Sequence, residues 1–404
     1  MGLVRFALVA ILLVLLIKRK VDLGLSLVIA AAALGLMYTM DPASLALVAY
    51  KAAVNLTALE IIMAVVMIVF LSELMKKEGK IKRMVDSLRL LLGDPRGVVV
   101  VVPAIIGFLP IIGGAMISAP MVKEASDELK ITPERKTFLN YWFRHIWEYT
   151  FPTYPGVILS AAILGVGLST IARANLPLTL AAAASGLFFG LRGLSRPGDG
   201  KRRVSRALLF DFFVGGLPIF VVIFAVLVFK TDLALTLILV FLVSVLVYRT
   251  RPREVAGLVR ENFSWAYVTI VLGILTFQGV LTATGAVTEI SGDLGSLGVP
   301  SIFVLVILPF IIAMFTGMTM AYVGITFPIL MPYFTTGDFP MIAFMLAYAG
   351  GYAGIMLSPV HLCLVLTAQY FKADLGKIYR VLAAPVLSVL MVAVVAYLVV
   401  NYLI

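Results

Sequence analysis

The sequence has one cysteine, Cys363, two histidines, His145 and His361, and only 13% charged residues. A single cysteine excludes a disulfide within the chain and any multi-cysteine metal centre. Soluble domains carry about 25% charged residues, so this composition excludes a soluble enzyme. Asn and Gln number seven together, which apolar helices by themselves go far to explain. The catalytic signatures HExxH and GxSxG are missing, and so is any nucleotide-binding loop. Enzymatic chemistry and direct ATP energisation are therefore not expected. No polar stretch is long enough to form a basic, water-exposed domain, so the net charge of +11 is not a nucleic-acid footprint.

What is present is apolar sequence: 62% of the 404 residues are hydrophobic. A crossing of the bilayer needs roughly 20 apolar residues. Continuous apolar runs occupy about 3–17, 22–40, 57–75, 137–171, 175–191, 207–229, 232–248, 264–284, 339–371 and 381–402. Two further stretches are interrupted. Pro103, Pro110, Gly113, Gly114 and Pro120 break 97–122, and Pro309, Gly317, Gly324, Pro328 and Pro332 break 300–335. Lys18, Arg19 and Lys20 follow the first run rather than precede it, against a cleavable signal.

If the interrupted stretches are re-entrant hairpins, ten spans remain and the charge sorts by side. The segments 18–20, 76–96, 123–136, 192–206, 249–260 and 372–380 then hold 27 of the 32 Lys and Arg on one side. The other side receives Arg5, Lys51, Arg173 and Lys230, with Glu289 and Asp293 in the long segment 285–299. The positive-inside rule makes the basic side cytoplasmic and places both termini outside, in a multi-pass protein of the cell inner (plasma) membrane. The one basic residue left over is Arg144, inside an apolar run.

The two halves also repeat. Lys20-Val-Asp22-Leu-Gly-Leu-Ser-Leu matches Lys230-Thr-Asp232-Leu-Ala-Leu-Thr-Leu, and Gly79, Pro103, Pro120 and Pro152 match Gly285, Pro309, Pro328 and Pro359 in the same order. Each half then has three spans, a hairpin, a span broken by proline and a final span. An odd number of crossings per half forces opposite insertion of the two copies. The expected fold is an all-α polytopic membrane protein, an inverted repeat of two five-helix halves, 1–206 and 207–404. Its hairpins lie at about 97–122 and 300–335, and its broken helices at about 137–171 and 339–371. Irregular backbone cannot face lipid, so these paired breaks are where a binding site is expected.

The Phe315-Thr-Gly-Met-Thr-Met hairpin and the Gly350-Gly351…Ser358-Pro-Val-His361 break, set in paired repeats, resemble the ion transporter superfamily of dicarboxylate, citrate, gluconate and related carriers. Within it the chain is most similar, over essentially its whole length, to the prokaryotic family termed domain of unknown function 401. The resemblance implies a homodimer in which a transport domain moves against a scaffold by an elevator mechanism. The Ser-Asn-Thr signatures of dicarboxylate carriers are missing, which argues against a dicarboxylate substrate.

Arg144, His145 and Glu148 share with Tyr141 an arc of about 100° if the helix continues to Phe151-Pro152-Thr153-Tyr154-Pro155. An arginine within a span is a functional candidate by default, because it costs at least ~2.5 kcal/mol unless it faces a partner or a cavity. Its bland alternative is an internal pair with Glu148. The two histidines, each next to a break, admit proton coupling. Without carboxylate partners or ligand spacing they define no metal site. The expected substrate site comprises Arg144, His145, Tyr154, Thr316, Thr319 and His361. The coupling-ion site comprises Glu148, Gly113, Gly114, Thr150, Thr153 and Ser358, where hydroxyls and freed carbonyls suit Na⁺. No cofactor is expected beyond Na⁺ or H⁺ as coupling ion. The functional expectation is a secondary transporter of a small organic anion, probed against a cation/proton antiporter or a channel as the alternative.

The topology is testable in a Cys363→Ser background. Lys201→Cys should label only from the cytoplasmic side of oriented cells and Asp293→Cys only from outside. Labelling of both from one side would remove the topology and the inverted repeat together.

Overall fold

The computed structural model describes residues 1–109, 114–194, 205–335 and 340–402, all helix and connecting segments, with no strand among them. The helices of the first half are α1 (Gly2–Lys18), α2 (Leu23–Met37), α3 (Pro42–Ala53), α4 (Leu56–Lys77), α5 (Lys80–Leu92), α6 (Pro95–Ile106), α7 (Ala115–Glu128), α8 (Pro133–His145), α9 (Pro155–Leu164) and α10 (Leu168–Leu191). The second half follows the same order: α11 (Arg206–Val228), α12 (Leu233–Tyr248), α13 (Pro252–Asn262), α14 (Trp265–Ala283), α15 (Ala286–Ser296), α16 (Ser301–Thr316), α17 (Thr319–Thr335), α18 (Pro340–Met356), α19 (Leu362–Phe371) and α20 (Leu375–Tyr402).

Local chemistry sets the boundaries. Asp22, Asp41, Asn55, Asp94 and Asp232 cap their helices by accepting a backbone N–H of the first turn. Proline opens α3, α6, α8, α9 and α13, where its missing N–H costs nothing. Left-handed residues close or open others, and they recur between the halves: Lys20 with Lys230, Thr39 with Arg249, Gly79 with Gly285, Gly93 with Gly298, and Gly165 with Lys372. Pro103 and Pro309 lie inside α6 and α16, Pro120 and Pro328 inside α7 and α17.

Among the described residues, five helices are long and apolar enough to cross a membrane: α4, α10, α11, α14 and α20. The other five expected spans are different in kind. Helices α1, α2 and α12, at 17, 15 and 16 residues, extend only about 22–26 Å against a hydrocarbon core of about 30 Å. The apolar run 137–171 holds most of α8, all of α9 and the start of α10, and the described part of 339–371 holds α18 and α19; a non-helical break separates α8 from α9 and α18 from α19. The segments 41–53, 76–96, 249–260 and 285–299, read from sequence as span ends and loops, hold the short helices α3, α5, α13 and α15. Helix α5 shows why they are helical: Ile81, Met84, Val85 and Leu88 recur at helical spacing and are buried, while the Lys and Arg between them are not.

Packing crosses between the halves. Helix α2 lies against α14 and α12 against α4; α5 packs on α11 and α1 on α15. The hairpin helices α6 and α7 pack on each other and on α8, as α16 packs on α17 and α18. Helix α7 reaches α19, α17 reaches α9, and α10 lies along α20. Ion pairs and polar contacts join segments far apart in sequence. Arg83 with Asp211, Lys77 with Glu254 and Thr250 with Glu78 join segments of the expected basic side. Arg5 and Tyr38 hold Glu289. The outer surface of α11 and α12 is apolar: Phe210, Phe213, Leu217, Phe224 on α11 and Leu235, Leu239, Leu242, Leu246 on α12 are exposed. Water does not tolerate apolar surface on that scale, and lipid does.

The α2–α14 crossing is close enough to be decided by one atom. A Cβ on Gly24 would lie 2.2 Å from the Thr269 carbonyl carbon, and one on Gly273 would lie 2.5 Å from the Gly24 oxygen. Gly24→Leu should therefore lower the unfolding temperature in detergent, with an overpacking cost of about 1–3 kcal/mol. Gly292→Ala, where nothing lies within 4 Å, should leave it unchanged or raise it. Equal effects of the two substitutions would contradict the crossing.

Candidate functional site

Two broken helices meet inside the bundle with the described ends of both hairpins. Helix α8 ends at His145, three residues earlier than the shared-face reading of Glu148 requires, and 146–150 form turns before α9 opens at Pro155. Glu148 therefore lies beyond the helix, and the helical arc does not extend to it. The break frees backbone carbonyls among buried residues, and side chains from elsewhere satisfy them. The Tyr352 hydroxyl donates to the His145 carbonyl at 3.0 Å, Tyr348 to that of Glu148 at 2.7 Å, and Asn175 to that of Tyr149 at 3.0 Å. The second break does the same in reverse. Ser358 donates to the Met314 carbonyl at 2.7 Å and the His361 ring contacts the Gly317 carbonyl at 2.9 Å, so 357–361 is tied to the α16–α17 turn. Gly317 is left-handed, and His361 N would lie 3.0 Å from a Cβ placed there.

Arg144 is 2% exposed. Its guanidinium donates to the Leu109 carbonyl and to the Tyr154 hydroxyl, each at 3.2 Å, and Tyr154 in turn donates to the Gly107 carbonyl at 2.5 Å. These carbonyls belong to the C-terminal end of α6 and the residues just past it, where the helix dipole is negative. The turn closes around the arginine so tightly that a Cβ on Gly107 would meet the Arg144 carbonyl oxygen at 2.4 Å, and one on Gly114 its Nη2 at 2.7 Å. Among the described residues no ion pair joins Arg144 to Glu148. The internal i,i+4 pair that the sequence allowed is replaced by a clamp between α8 and the first hairpin. Asn140 strengthens that junction, donating to the Ala115 carbonyl and accepting from Ser118 at 2.7 Å.

Glu148 places its Oε1 3.7 Å from His145 Nε2. The hydroxyls of Tyr352 and Thr319 stand beside its carboxylate. His145 Nε2 lies 3.2 Å from His361 Nε2, and Cys363 Sγ falls within 4.8 Å of both rings. Tyr141 covers the pair, its ring 4.6 Å from that of His145 and 5.6 Å from that of His361.

The expected site residues thus divide. Arg144, His145, Tyr154, His361, Glu148 and Thr319 converge, with Gly114 beside the arginine. Thr316 donates to the Ile312 carbonyl four residues back and Thr150 shares a 3.1 Å hydrogen bond with Thr179, so both serve helix packing. Ser358 holds the second break. The Thr153 hydroxyl is buried with no partner among the described residues. Gly350 and Gly351 approach Val306 and Tyr322. Gly113 and Pro110 lie outside the described residues. Sequence reasoning passed over Cys363, Asn140, Tyr348 and Tyr352; only Cys363 carried a signal, its position two residues from His361.

The class is that of an all-helical chain with several apolar helices of membrane-crossing length, whose buried polar residues collect at helix breaks. The family can be named: a model of the family described as Protein of unknown function (DUF401) matches residues 3–400, and the chain belongs to it. A comparison with curated proteins found no match.

The clamp makes a forecast opposite to that of an internal pair. Arg144→Gln should cost about 2–3 kcal/mol through lost charge-assisted hydrogen bonds, and adding Glu148→Gln should not restore it. Unfolding curves of the single and double variants in detergent decide: recovery in the double variant would reinstate the pair.

Proposed function

We propose that the protein is a secondary active transporter of a small organic anion, carboxylate-bearing, driven by H⁺ or Na⁺. The observation that carries this is a set of enclosed ionisable residues, Arg144, His145, Glu148 and His361, at the point where two helix breaks and both hairpins approach one another. Such residues are costly in an apolar interior and mark substrate or ion pathways. The reading joins the chain to the ion transporter superfamily, with an inverted repeat of halves 1–206 and 207–404. Reciprocal packing supports the repeat: α2 meets α14 as α12 meets α4, and α7 meets α19 as α17 meets α9. So do the left-handed residues that recur in pairs. The ion pairs between segments expected on one side agree with ten crossings, two re-entrant hairpins and both termini outside the cell inner membrane.

Charge accounts for coupling. Arg144 and Glu148 sum to zero, so the site by itself has little attraction for an anion. A cation at Glu148 or on the histidine pair leaves a charge of +1, which favours a carboxylate. An approach route is compatible with this: a cavity of about 350 Å³ reaches Thr150 and Phe151 of the first break and is flanked by Arg173 and Lys230. The hydroxyls of Thr319 and Tyr154 provide donors nearby. Movement is read as elevator-type, with the hairpins and broken helices carried against a scaffold of the long spans, in a homodimer formed through that scaffold.

Proteoliposomes test the proposal. Uptake of labelled monocarboxylates or sugar acids should exceed equilibrium only under an inward H⁺ or Na⁺ gradient. Glu148→Gln should remove the gradient dependence. Arg144→Gln should abolish uptake, with partial return in Arg144→Lys because lysine lacks the bidentate fork. Uptake of every anion indifferent to both gradients would dispose of coupled transport.

A further inference from the structure

The two imidazoles at the centre of the fold face each other in a way that two neutral histidines do not sustain. His145 Nδ1 lies 2.6 Å from the Tyr141 carbonyl oxygen and His361 Nδ1 lies 2.9 Å from that of Gly317. A carbonyl oxygen only accepts, so each Nδ1 carries the proton. Each Nε2 then presents a bare lone pair, and the two are 3.2 Å apart. Moving a proton to either Nε2 would form an N–H···N bond but would set that ring's bare Nδ1 against a carbonyl oxygen. The Cys363 thiol can direct its one proton to a single Nε2 and leaves the other unserved. What satisfies both lone pairs at once is a cation between them.

The surroundings specify which cation. Metal-bound histidines characteristically donate their second N–H to a carbonyl or carboxylate, fixing tautomer and ring orientation, and both histidines do so here. For Zn–N bonds of about 2.0–2.1 Å in a tetrahedral site the two nitrogens sit roughly 3.3–3.4 Å apart, close to the 3.2 Å observed. Cys363 Sγ lies within 4.8 Å of both nitrogens, and the Glu148 carboxylate oxygen is 3.7 Å from His145 Nε2. Two imidazoles, a thiolate and a carboxylate suit Zn²⁺ and similar borderline-soft ions rather than Na⁺ or Mg²⁺. The thiolate and carboxylate together offset the dication, while Arg144 stays with the carbonyls of the first hairpin.

We infer that His145, His361 and Cys363, with the Glu148 carboxylate as a nearby counter-charge, form a binding site for one divalent transition-metal ion of the zinc class. Binding releases the Cys363 thiol proton to solvent, and the ion joins α8, the first break and the start of α19. The site bridges the two halves of the chain, because His145 and Glu148 come from the first and His361 and Cys363 from the second. The inference does not depend on transport: a proton shared by the histidines would supply the same sign of charge to the mechanism proposed above.

The test uses the full chain purified in detergent, stripped with chelator and titrated with Co²⁺, with Zn²⁺ as competitor. One Co²⁺ per chain should bind, giving a thiolate-to-metal charge-transfer band and the strong visible absorption of tetrahedral cobalt, and Zn²⁺ should displace it. Cys363→Ser should lose the charge-transfer band and weaken binding about tenfold or more. His361→Gln should weaken it by at least ~100-fold. Cys363→Ser is nearly isosteric, so its spectrum decides the matter even if a histidine variant fails to fold. Zn²⁺ should also raise the unfolding temperature of the unmodified chain more than that of Cys363→Ser at the same concentration. Cobalt bound without a thiolate band, or with an affinity unchanged in both variants, would overturn the site. So would no binding at all, which would leave a shared proton to hold the pair. Loss of the metal site would leave the uptake measurements standing, and failed uptake would leave the cobalt spectra unaffected.

Discussion

The structure is governed by the requirement that every backbone polar group freed inside an apolar bundle must find a partner within the protein. An unpaired group in hydrocarbon costs several kcal/mol, and the two breaks at 146–154 and 357–361 free a number of carbonyls at once. Each partner comes from a segment other than the one that holds the carbonyl. Tyr348 and Tyr352 of α18 serve the first break, Asn175 of α10 serves it from another direction, and Ser358 and His361 of the second break serve the end of α16. The polar requirement, more than apolar packing, fixes which helices must be neighbours at the centre.

Arg144 shows the same logic applied to a charge. A guanidinium has five donors and no acceptor, and the end of a helix offers several carbonyls and no donor. Joining α8 to the end of α6 through Arg144 and Tyr154 meets both needs without a carboxylate. Glu148 is thereby left beside His145, with no direct ion pair to the arginine among the described residues. The separation keeps a cation and an anion a few residues apart in one enclosed site without neutralising each other by contact. A direct pair would have been simpler, and electrostatically inert toward a third charge.

Much of this was legible in the sequence. The membrane class, the interrupted stretches and the two breaks follow from apolar runs punctuated by proline and glycine, because those residues act locally. Asp22 and Asp232 as caps, and Gly79 and Gly285 as left-handed openers, were visible as repeat landmarks before their geometry was known. The short helices α5 and α13 were not, since their basic residues made them look like loops and their buried faces are narrow, with only Leu258 buried on α13. Nor was the fate of Glu148, whose i,i+4 relation to Arg144 presumed a helix that stops at His145. Tyr348 and Tyr352 were illegible for a different reason: an aromatic residue in an apolar helix carries no sign of whether its hydroxyl meets a carbonyl two hundred residues away.

The meeting of His145 with His361 and Cys363 could be found only in three dimensions, and it alters what the centre of the molecule can do. Arg144 is committed to carbonyls, so the local charge is set by the remaining groups: Glu148, the thiol and two imidazoles that lack protons on their facing nitrogens. With no cation the sum over arginine and glutamate is zero, and an anion entering would meet two lone pairs and a carboxylate. With a cation held there the same residues present positive charge beside the Thr319 hydroxyl. Under the proposed anion transport, an ordered sequence would follow, cation before anion, because the second ligand is repelled until the first has bound. The order needs no moving gate, only ligands whose charges compensate, and the histidine pair gives it a physical location where the two halves of the chain touch.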